Sequence, residues 1–228
     1  MSEFTHAWNI SPKEAIEIQR QMQNHIRLES LQKKITLIAG CDISMNLYST
    51  TFYGGFVVLR YPELTLVDQA FVKDTVTFPY IPGLLSFREI PSLLKAWEKL
   101  KTKPDLIAVD GVGIAHPRRI GIASHLGVVL DIPTIGCAKS VLTGVYEEPD
   151  QEPGSYSFMH DPSHPEELLG AAIRSKRNVK PIFVSPGHKI TLRESIDIIK
   201  NCVRKHRIPE PTRFAHNVMN EYRKQDLR

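Results

Sequence analysis

The spacing of apolar residues along the chain changes repeatedly between the period of a helix and that of a strand. Ser11 opens the first helical stretch, because Pro12 suits a first turn and Glu14 completes a capping box with the serine. Short apolar runs bounded by Gly, Pro and Asp predict strands. The pattern predicts helices at residues 12–31, 86–100, 119–130 and 191–204 and after Pro211, and strands at 35–44, 51–60, 64–73, 106–109, 134–137, 167–174 and 181–184.

The order of these elements predicts an α/β fold. Three strands come first, two of them joined as a hairpin through residues 61–63, and helices and strands alternate afterwards. An antiparallel three-strand meander followed by parallel strands is the order of the ribonuclease H-like fold, so we expect such a mixed sheet flanked by helices. Residues 144–165 are rich in Pro, Glu and Asp and are expected to form a surface insertion. One domain is expected for residues 1–228.

Two of the predicted strands carry an acidic residue at their carboxyl end. One apolar run ends on Asp42, and another ends on Asp110, which glycines, His116 and two arginines follow. Ligands of open α/β sheets bind at this end of the strands. Two neighbouring carboxylates there would repel each other unless a cation lay between them. The pattern therefore favours a site for Mg²⁺ and a phosphate, with a turn-capping Asp as the alternative at each strand.

Composition and charge are those of an ordinary globular protein with a mildly basic balance. Lys and Arg number 29 against 25 Asp and Glu, a net charge of +4, which permits nucleic-acid binding without requiring it. Three widely spaced cysteines favour buried free thiols in a reducing compartment over a disulfide framework or zinc site. Without a signal-like leader or an apolar run of membrane length, the protein is expected to be cytoplasmic and not bound to a membrane. A monomer is expected.

An ordered series of motifs resembles the endonuclease V family over most of the chain, from about residue 38 to 216. No single motif is decisive, but their order across separate strands and loops is specific. The series comprises residues 39–42 (Ala-Gly-Cys-Asp), 79–89 (Pro-Tyr-Ile-Pro-Gly-Leu-Leu-Ser-Phe-Arg-Glu), 109–111 (Val-Asp-Gly), 116–118 (His-Pro-Arg), 121–125 (Gly-Ile-Ala-Ser-His), 133–139 (Pro-Thr-Ile-Gly-Cys-Ala-Lys) and 184–188 (Val-Ser-Pro-Gly-His).

The resemblance implies a catalytic site built on three acids. Asp42 and Asp110 are the implied metal ligands, and His216 matches a position associated with the metal. Glu89 is the implied third acid, which would either ligate the metal or orient a metal-bound water. The implied cofactor is Mg²⁺, with Mn²⁺ as a substitute ion, and it would polarise the scissile phosphate and activate water. Without the family, Glu89 would be interpreted as a solvated residue of a helix face.

Two further residues receive catalytic roles from the resemblance. Lys139 follows a short predicted strand, so it is expected to contact the phosphate and stabilise developing charge. His116 is expected to bind phosphate or to protonate the leaving 3′ oxygen. An ordinary surface lysine and a loop histidine are the alternatives. Basic residues at 174–180, with Arg88, Arg118 and Arg119, are expected to add phosphate contacts or to form solvated loops.

A stiff Pro-rich loop and several glycines supply the implied substrate contacts. Tyr80, Ile81 and Pro82 resemble the family's wedge, which holds the helix open while the altered base leaves the stack; a core-filling turn is the alternative. Members of the family recognise hypoxanthine in a tight pocket, largely through backbone groups. The residues that match this pocket are Gly83, Leu85, Gly111, Gly121 and Ile122.

The reaction implied is metal-dependent repair of deaminated adenine in DNA. The enzyme would cut the second phosphodiester bond 3′ to deoxyinosine, leaving a 3′-hydroxyl and a 5′-phosphate. Alternatives are cleavage of inosine-containing RNA, a non-catalytic lesion-binding module and a general nuclease. Two positions depart from the family pattern: Val112 replaces a polar residue beside the pocket, where it bears on the range of deaminated bases cut, and Ser140 replaces a second lysine.

Overall fold

A nine-stranded mixed sheet forms the centre of the protein, described by a computed structural model for residues 4–47 and 49–226. Its strands lie in the order β3-β2-β1-β4-β5-β9-β8-β7-β6. The strands are β1 (Leu37–Met45), β2 (Thr51–Arg60), β3 (Leu66–Thr75), β4 (Leu106–Val109), β5 (Thr134–Ala138), β6 (Val145–Tyr146), β7 (Tyr156–His160), β8 (Leu168–Ile173) and β9 (Ile182–His188). The helices are α1 (Pro12–Gln23), α2 (Leu85–Lys99), α3 (Ile122–Leu130), α4 (Leu192–Cys202) and α5 (Glu210–Asp226).

Strand direction confirms the predicted ribonuclease H-like arrangement. β1, β2 and β3 form an antiparallel meander. β4 pairs in parallel with both β1 and β5. β9, β8, β7 and β6 then extend the sheet with antiparallel pairs. The parallel strands therefore lie in the middle of the sheet, where their carboxyl ends meet at one edge.

Helices cover both faces of the sheet, as the alternation of side chains along the strands requires. In β4, Leu106 and Ala108 face the apolar layer that includes α4 and α5, whereas Ile107 and Val109 face the layer that includes α2 and α3. α5 lies directly against β1, because a Cβ atom on Gly40 would come within 1.9 Å of the Pro211 carbonyl oxygen. This close approach brings the side chains of α5 to the central strand of the sheet.

Three predicted elements differ from the observed ones. α1 ends at Gln23 instead of near residue 31, because the segment after it finds tertiary partners that a helix could not reach: the Leu31 amide donates to a Glu194 carboxylate oxygen at 3.0 Å. β1 spans Leu37–Met45 where residues 35–44 were predicted, and it continues three residues past the end of the apolar run at Asp42 because it stays paired with β2 as far as Met45. The insertion at 144–165 contains β6 and β7, which add two strands to one edge of the sheet.

The described chain contains buried thiols and no membrane span. All three cysteines are free and buried, as predicted. Within residues 4–47 and 49–226, no helix combines the length and the apolar character needed to cross a bilayer.

Asp105 stabilises the start of β1 through hydrogen bonds and an ion pair, and a substitution of this residue tests that part of the fold. One carboxylate oxygen accepts from the amides of Thr36 and Leu37 at 2.9 and 3.0 Å, and Lys33 lies 2.7 Å from the other oxygen. Burial alone would raise the pKa of Asp105, but these partners lower it to about 2. We expect Asp105→Ala to reduce the free energy of unfolding by about 1–3 kcal/mol at pH 7.

The pH dependence of this effect follows from the lowered pKa. The folded-state pKa lies below the ordinary value of 3.8, so the stabilisation is complete above about pH 4 and is lost as the pH falls towards 2. Urea unfolding should therefore show a difference in the free energy of unfolding between the wild type and the variant at pH 7, and this difference should become smaller in acid. A difference that does not change with pH would contradict the role of the carboxylate.

Candidate active site

The register of the sheet places Asp42 and Asp110 side by side. The parallel pairing of β1 with β4 ends at the pair Cys41 and Val109, and the next residue in each strand is the acid. Both carboxylates are largely shielded, with 13% and 16% of the side-chain surface exposed. The two acids predicted from separate strands are thus neighbours at the carboxyl end of the parallel strands.

His216 on α5 completes a group that can hold a metal ion. One potential ligand atom from each of Asp42, Asp110 and His216 lies within 4.8 Å of the others. His216 Nδ1 is 2.8 Å from Asp42 Oδ2, and Asn220 Nδ2 is 3.0 Å from His216 Nε2. Since the Asn220 oxygen accepts from Ser44, its amide nitrogen donates to Nε2, and Nδ1–H of His216 therefore donates to Asp42. His216 thus orients this carboxylate.

Glu89 approaches the same acids from α2. Burial, followed by the charges of Asp42 and Asp110, raises the pKa of Glu89 to about 8. Burial and the neighbouring Asp110 likewise raise the pKa of Asp42. Glu89 does not belong to the group whose ligand atoms lie within 4.8 Å of one another. Its carboxyl group nevertheless interacts electrostatically with Asp42 and Asp110. A site in which the charge of Asp110 opposes the ionisation of Asp42 and Glu89 favours a bound cation.

Lys139 brings a positive charge to this cluster. It follows the last residue of β5, Ala138, and its ammonium group forms an ion pair with Asp110 Oδ2. Its side chain is 44% exposed, so the ammonium group remains accessible to a ligand from solvent. The position agrees with the predicted one at the edge of the sheet.

A pocket of about 230 Å³ opens beside the acid cluster. All eight residues predicted to contact the substrate line it, and Tyr80 is 67% exposed. Asp110 belongs to the cluster and the next residue, Gly111, belongs to the pocket, so the two features are contiguous. The pocket lining comprises Gln19, Tyr80, Ile81, Pro82, Gly83, Leu85, Ser86, Gly111, Val112, His116, Ile120, Gly121, Ile122, Ala138, Ser140 and Leu142.

The Gly83 carbonyl group is fixed by three donors at one side of the pocket. Gln19 Nε2, Arg118 Nη2 and His116 Nε2 lie 2.9, 2.8 and 3.1 Å from its oxygen. Gly83 has φ +79°, and a Cβ atom there would lie 2.7 Å from Arg118 Nη2. Only glycine therefore fits this turn without strain.

The structure places His116 in the pocket wall and not with the acids. Its Nε2 donates to the Gly83 carbonyl group, and its Nδ1 accepts from the Arg118 amide at 3.1 Å. Burial, followed by the charge of Arg118, lowers the pKa of His116 to about 4. Because both ring nitrogens are engaged and the ring is neutral at pH 7, the geometry does not support His116 as the acid for the leaving 3′ oxygen.

Several arginines expected at phosphates instead stabilise the protein. Arg174 is buried and bonded to Glu148 and to backbone carbonyl groups, so it is not part of a surface loop. Arg119 pairs with Asp161 and Glu167, both at 2.6 Å. Arg88 donates to the Phe78 carbonyl group at 2.7 Å. The sequence shows the charge of these residues but not their partners, which are distant along the chain.

The sequence analysis did not identify Gln19, Ser86 and Leu142 as residues of the pocket. Gln19 carries a detectable signal, because it interrupts the buried face of α1 that includes Ala15 and Met22. Ser86 lies within the motif at residues 79–89, but its hydroxyl group contacts His125, which is 39 residues later in the chain.

Fold and site together define a class of protein. A ribonuclease H-like sheet that carries an acid cluster, a lysine and a pocket of base size at the ends of its central strands has the features of a nuclease. Residues 20–217 match the family described as Endonuclease V. The Endonuclease V of Dictyoglomus turgidum is 51% identical over 204 residues, which cover 90% of this chain and 87% of that protein.

Solved structures agree with the sequence match. The Endonuclease V of Streptomyces avermitilis has a TM-score of 0.90 at 36% identity, over 97% of both chains. The Endonuclease V of Ciona intestinalis, in complex with a 24mer DNA containing an inosine followed by a ribo-adenosine, has a TM-score of 0.82 at 30% identity, over 93% of this chain and 98% of that one. The chain belongs to the endonuclease V family, and it is a nuclease.

Proposed function

We propose that the protein hydrolyses the second phosphodiester bond 3′ to a deoxyinosine in DNA, leaving a 3′-hydroxyl and a 5′-phosphate. One observation carries the proposal: the pocket adjoins the acid cluster through the consecutive residues Asp110 and Gly111. A base held in the pocket would leave its 3′ phosphates near the acids. Base selection and bond hydrolysis can then occur on one strand without movement of the protein.

The donor set fits a hard divalent cation, and we assign this role to Mg²⁺, with Mn²⁺ as a substitute. Asp42 and Asp110 would hold the ion, since carboxylate oxygens are the protein ligands that both ions prefer. When bound, the ion supplies Lewis-acid polarisation of the scissile phosphate. His216 keeps the Asp42 carboxylate in place through its Nδ1–H.

The remaining residues of the cluster act on water and phosphate. Glu89 would accept a hydrogen bond from the attacking water and orient it, since its carboxyl group lies close enough to interact electrostatically with Asp42 and Asp110. Lys139 would exchange part of its ion pair with Asp110 for the phosphate and stabilise charge that develops there. His116 instead maintains the pocket by holding Gly83.

The pocket dimensions suit a single extruded base. Its volume of about 230 Å³ is small beside the roughly 300–1,000 Å³ of pockets for drug-sized ligands. Tyr80, Ile81 and Pro82 on its rim would occupy the space that the base leaves in the stack. Extraction costs least for a weakly paired base, which favours inosine. Binding of inosine-containing DNA by the Ciona relative supports this substrate.

A second candidate is cleavage of inosine-containing RNA. The DNA bound by the Ciona relative carries a ribonucleotide directly after the inosine. A 2′-hydroxyl at that place would distinguish RNA from DNA, so the sugar 3′ to the inosine is the group to vary.

Cleavage assays on labelled single strands and duplexes test the proposal. The set comprises DNA, RNA and a DNA with one ribonucleotide after the lesion, each with inosine or adenine, in Mg²⁺. A Mg²⁺-dependent cut at the second bond 3′ to deoxyinosine is expected. Preference for the ribonucleotide would favour the RNA candidate. Tight binding without cleavage would leave a lesion-binding module, and equal cleavage of adenine controls would leave a general nuclease.

A further inference from the structure

A chain of hydrogen bonds runs from the N-terminal segment to the wall of the pocket. Ser86 lines the pocket from the first turn of α2. His125 on α3 has its Nδ1 2.9 Å from the Ser86 hydroxyl oxygen and its Nε2 2.8 Å from His6 Nε2. His6 Nδ1 lies 2.8 Å from the Ala7 carbonyl oxygen. Four residues from three parts of the chain thus form one continuous relay.

The direction of every proton in this relay follows from its first member. A carbonyl oxygen only accepts, so His6 Nδ1 carries the proton and His6 Nε2 offers a lone pair. His125 Nε2–H must then donate to His6, which leaves a lone pair on His125 Nδ1. The Ser86 hydroxyl proton is consequently directed to His125. The lone pairs that remain on the Ser86 oxygen can only accept a hydrogen bond.

Packing keeps both rings in place and uncharged. Burial lowers the pKa of His125 and that of His6, so the neutral forms prevail at pH 7. Trp8 stacks on the His125 ring at a centroid distance of 5.4 Å, and Phe87 contacts it edge-on at 4.8 Å. A rotation of either imidazole ring that exchanged its two nitrogens would therefore disrupt this aromatic cluster, so the direction of the hydrogen bonds is fixed.

Three other acceptors of the pocket wall already receive hydrogen bonds from the protein. The Gly83 carbonyl oxygen accepts from three side chains. The Gln19 side-chain oxygen accepts from Arg118, and the Gly121 carbonyl oxygen accepts from the His125 amide. The Ser86 hydroxyl group in contrast donates to His125, which leaves the lone pairs of its oxygen for a ligand.

We propose that the Ser86 oxygen is a specificity-determining acceptor that selects bases with a hydrogen on N1, and that His6 and His125 act as positioning residues that fix its polarity. Hypoxanthine carries N1–H, whereas N1 of adenine carries a lone pair. A hydroxyl group that could rotate would satisfy either base. A hydroxyl group whose proton is donated to His125 can accept from N1–H of hypoxanthine. With adenine, a lone pair of the Ser86 oxygen would instead face the lone pair of N1. The inference rests on the proposed function.

A base-analogue experiment separates this role from a structural one. Single-stranded DNA with deoxyinosine is compared with DNA carrying the unsubstituted purine deoxyriboside, which has no N1–H. We expect Ser86→Ala to lower kcat/KM for deoxyinosine about tenfold, which corresponds to about 1.4 kcal/mol. Cleavage of the purine analogue should stay the same or rise. Equal losses on both strands, or no loss on deoxyinosine, would overturn the proposal.

His6→Phe tests the relay at a distance from the pocket. Phenylalanine retains the ring that packs against Trp8 and Phe87 but removes both nitrogens. His125 can then adopt the other tautomer and donate to Ser86, so the preference for inosine over adenine should fall severalfold through faster adenine cleavage. An unchanged ratio would overturn the role of the relay. A wild type without any inosine preference would instead refute the proposed function, which keeps the two failures distinct.

Discussion

Asp42→Asn is expected to lower the rate of inosine-directed cleavage by at least about 10³-fold while the variant still binds the lesion. Asparagine keeps the shape of the side chain and an oxygen that can accept from His216, but it removes the negative charge that holds a cation. Loss of a metal ligand removes several kcal/mol of transition-state stabilisation, and each 1.36 kcal/mol is a factor of ten in rate. Single-turnover cleavage and fluorescence anisotropy measure the two effects separately.

Thermal unfolding supplies an independent measurement for the same variant. Mg²⁺ or Mn²⁺ should raise the Tm of the wild type, since a ligand that binds only the folded state stabilises it. Asp42→Asn should show a smaller rise, and without metal it should be at least as stable as the wild type, because burial and the charge of Asp110 both oppose the ionisation of Asp42. Asp197→Asn, on the exposed side of α4, is the matched control. Equal metal responses in all three proteins would contradict the assignment.

The sequence could predict this cluster because its members follow a rule that is local to each strand. Asp42 and Asp110 come directly after apolar runs, and parallel strands bring such positions to one edge. The end of the apolar run at Asp42 does not mark the end of β1, which stays paired with β2 as far as Met45. It marks the end of the parallel pairing with β4, which stops at Cys41. The parallel pairing is what brings the acids together.

Contacts distant along the chain could not be predicted in the same way. The polarity of Ser86 depends on His125, 39 residues later, and on His6, 119 residues before that histidine. The engagement of His116 by Gly83 likewise joins residues 33 positions apart. A motif fixes which residues are present, but a tautomer or a donor direction depends on the partner that tertiary packing supplies. The chemistry of the site was therefore predictable by residue type and not by hydrogen-bond polarity.

Tyr80→Ala is expected to reduce cleavage of deoxyinosine in duplex DNA by about 10–100-fold and to affect single-stranded substrate much less. Tyr80 is 67% exposed on the rim of the pocket, so truncating its side chain should cost the fold little. We propose that it stacks on the bases that remain when the lesion leaves the duplex. Stacking of an aromatic side chain on a base contributes about 1–3 kcal/mol, which corresponds to this range of rates. A single strand has no partner strand to separate, so it needs little of this contribution.

Two comparisons make the wedge hypothesis for Tyr80 falsifiable. Tyr80→Phe keeps the ring and removes only the hydroxyl group, so it should cleave duplex substrate at nearly the wild-type rate. The Mg²⁺ concentration for half-maximal cleavage of single strands should be the same in both variants and the wild type, because Tyr80 lies in the pocket wall and not in the acid cluster. If Tyr80→Ala slows duplex and single-strand cleavage by the same factor, Tyr80 acts in binding the base itself, and the duplex must be opened by other residues of the rim.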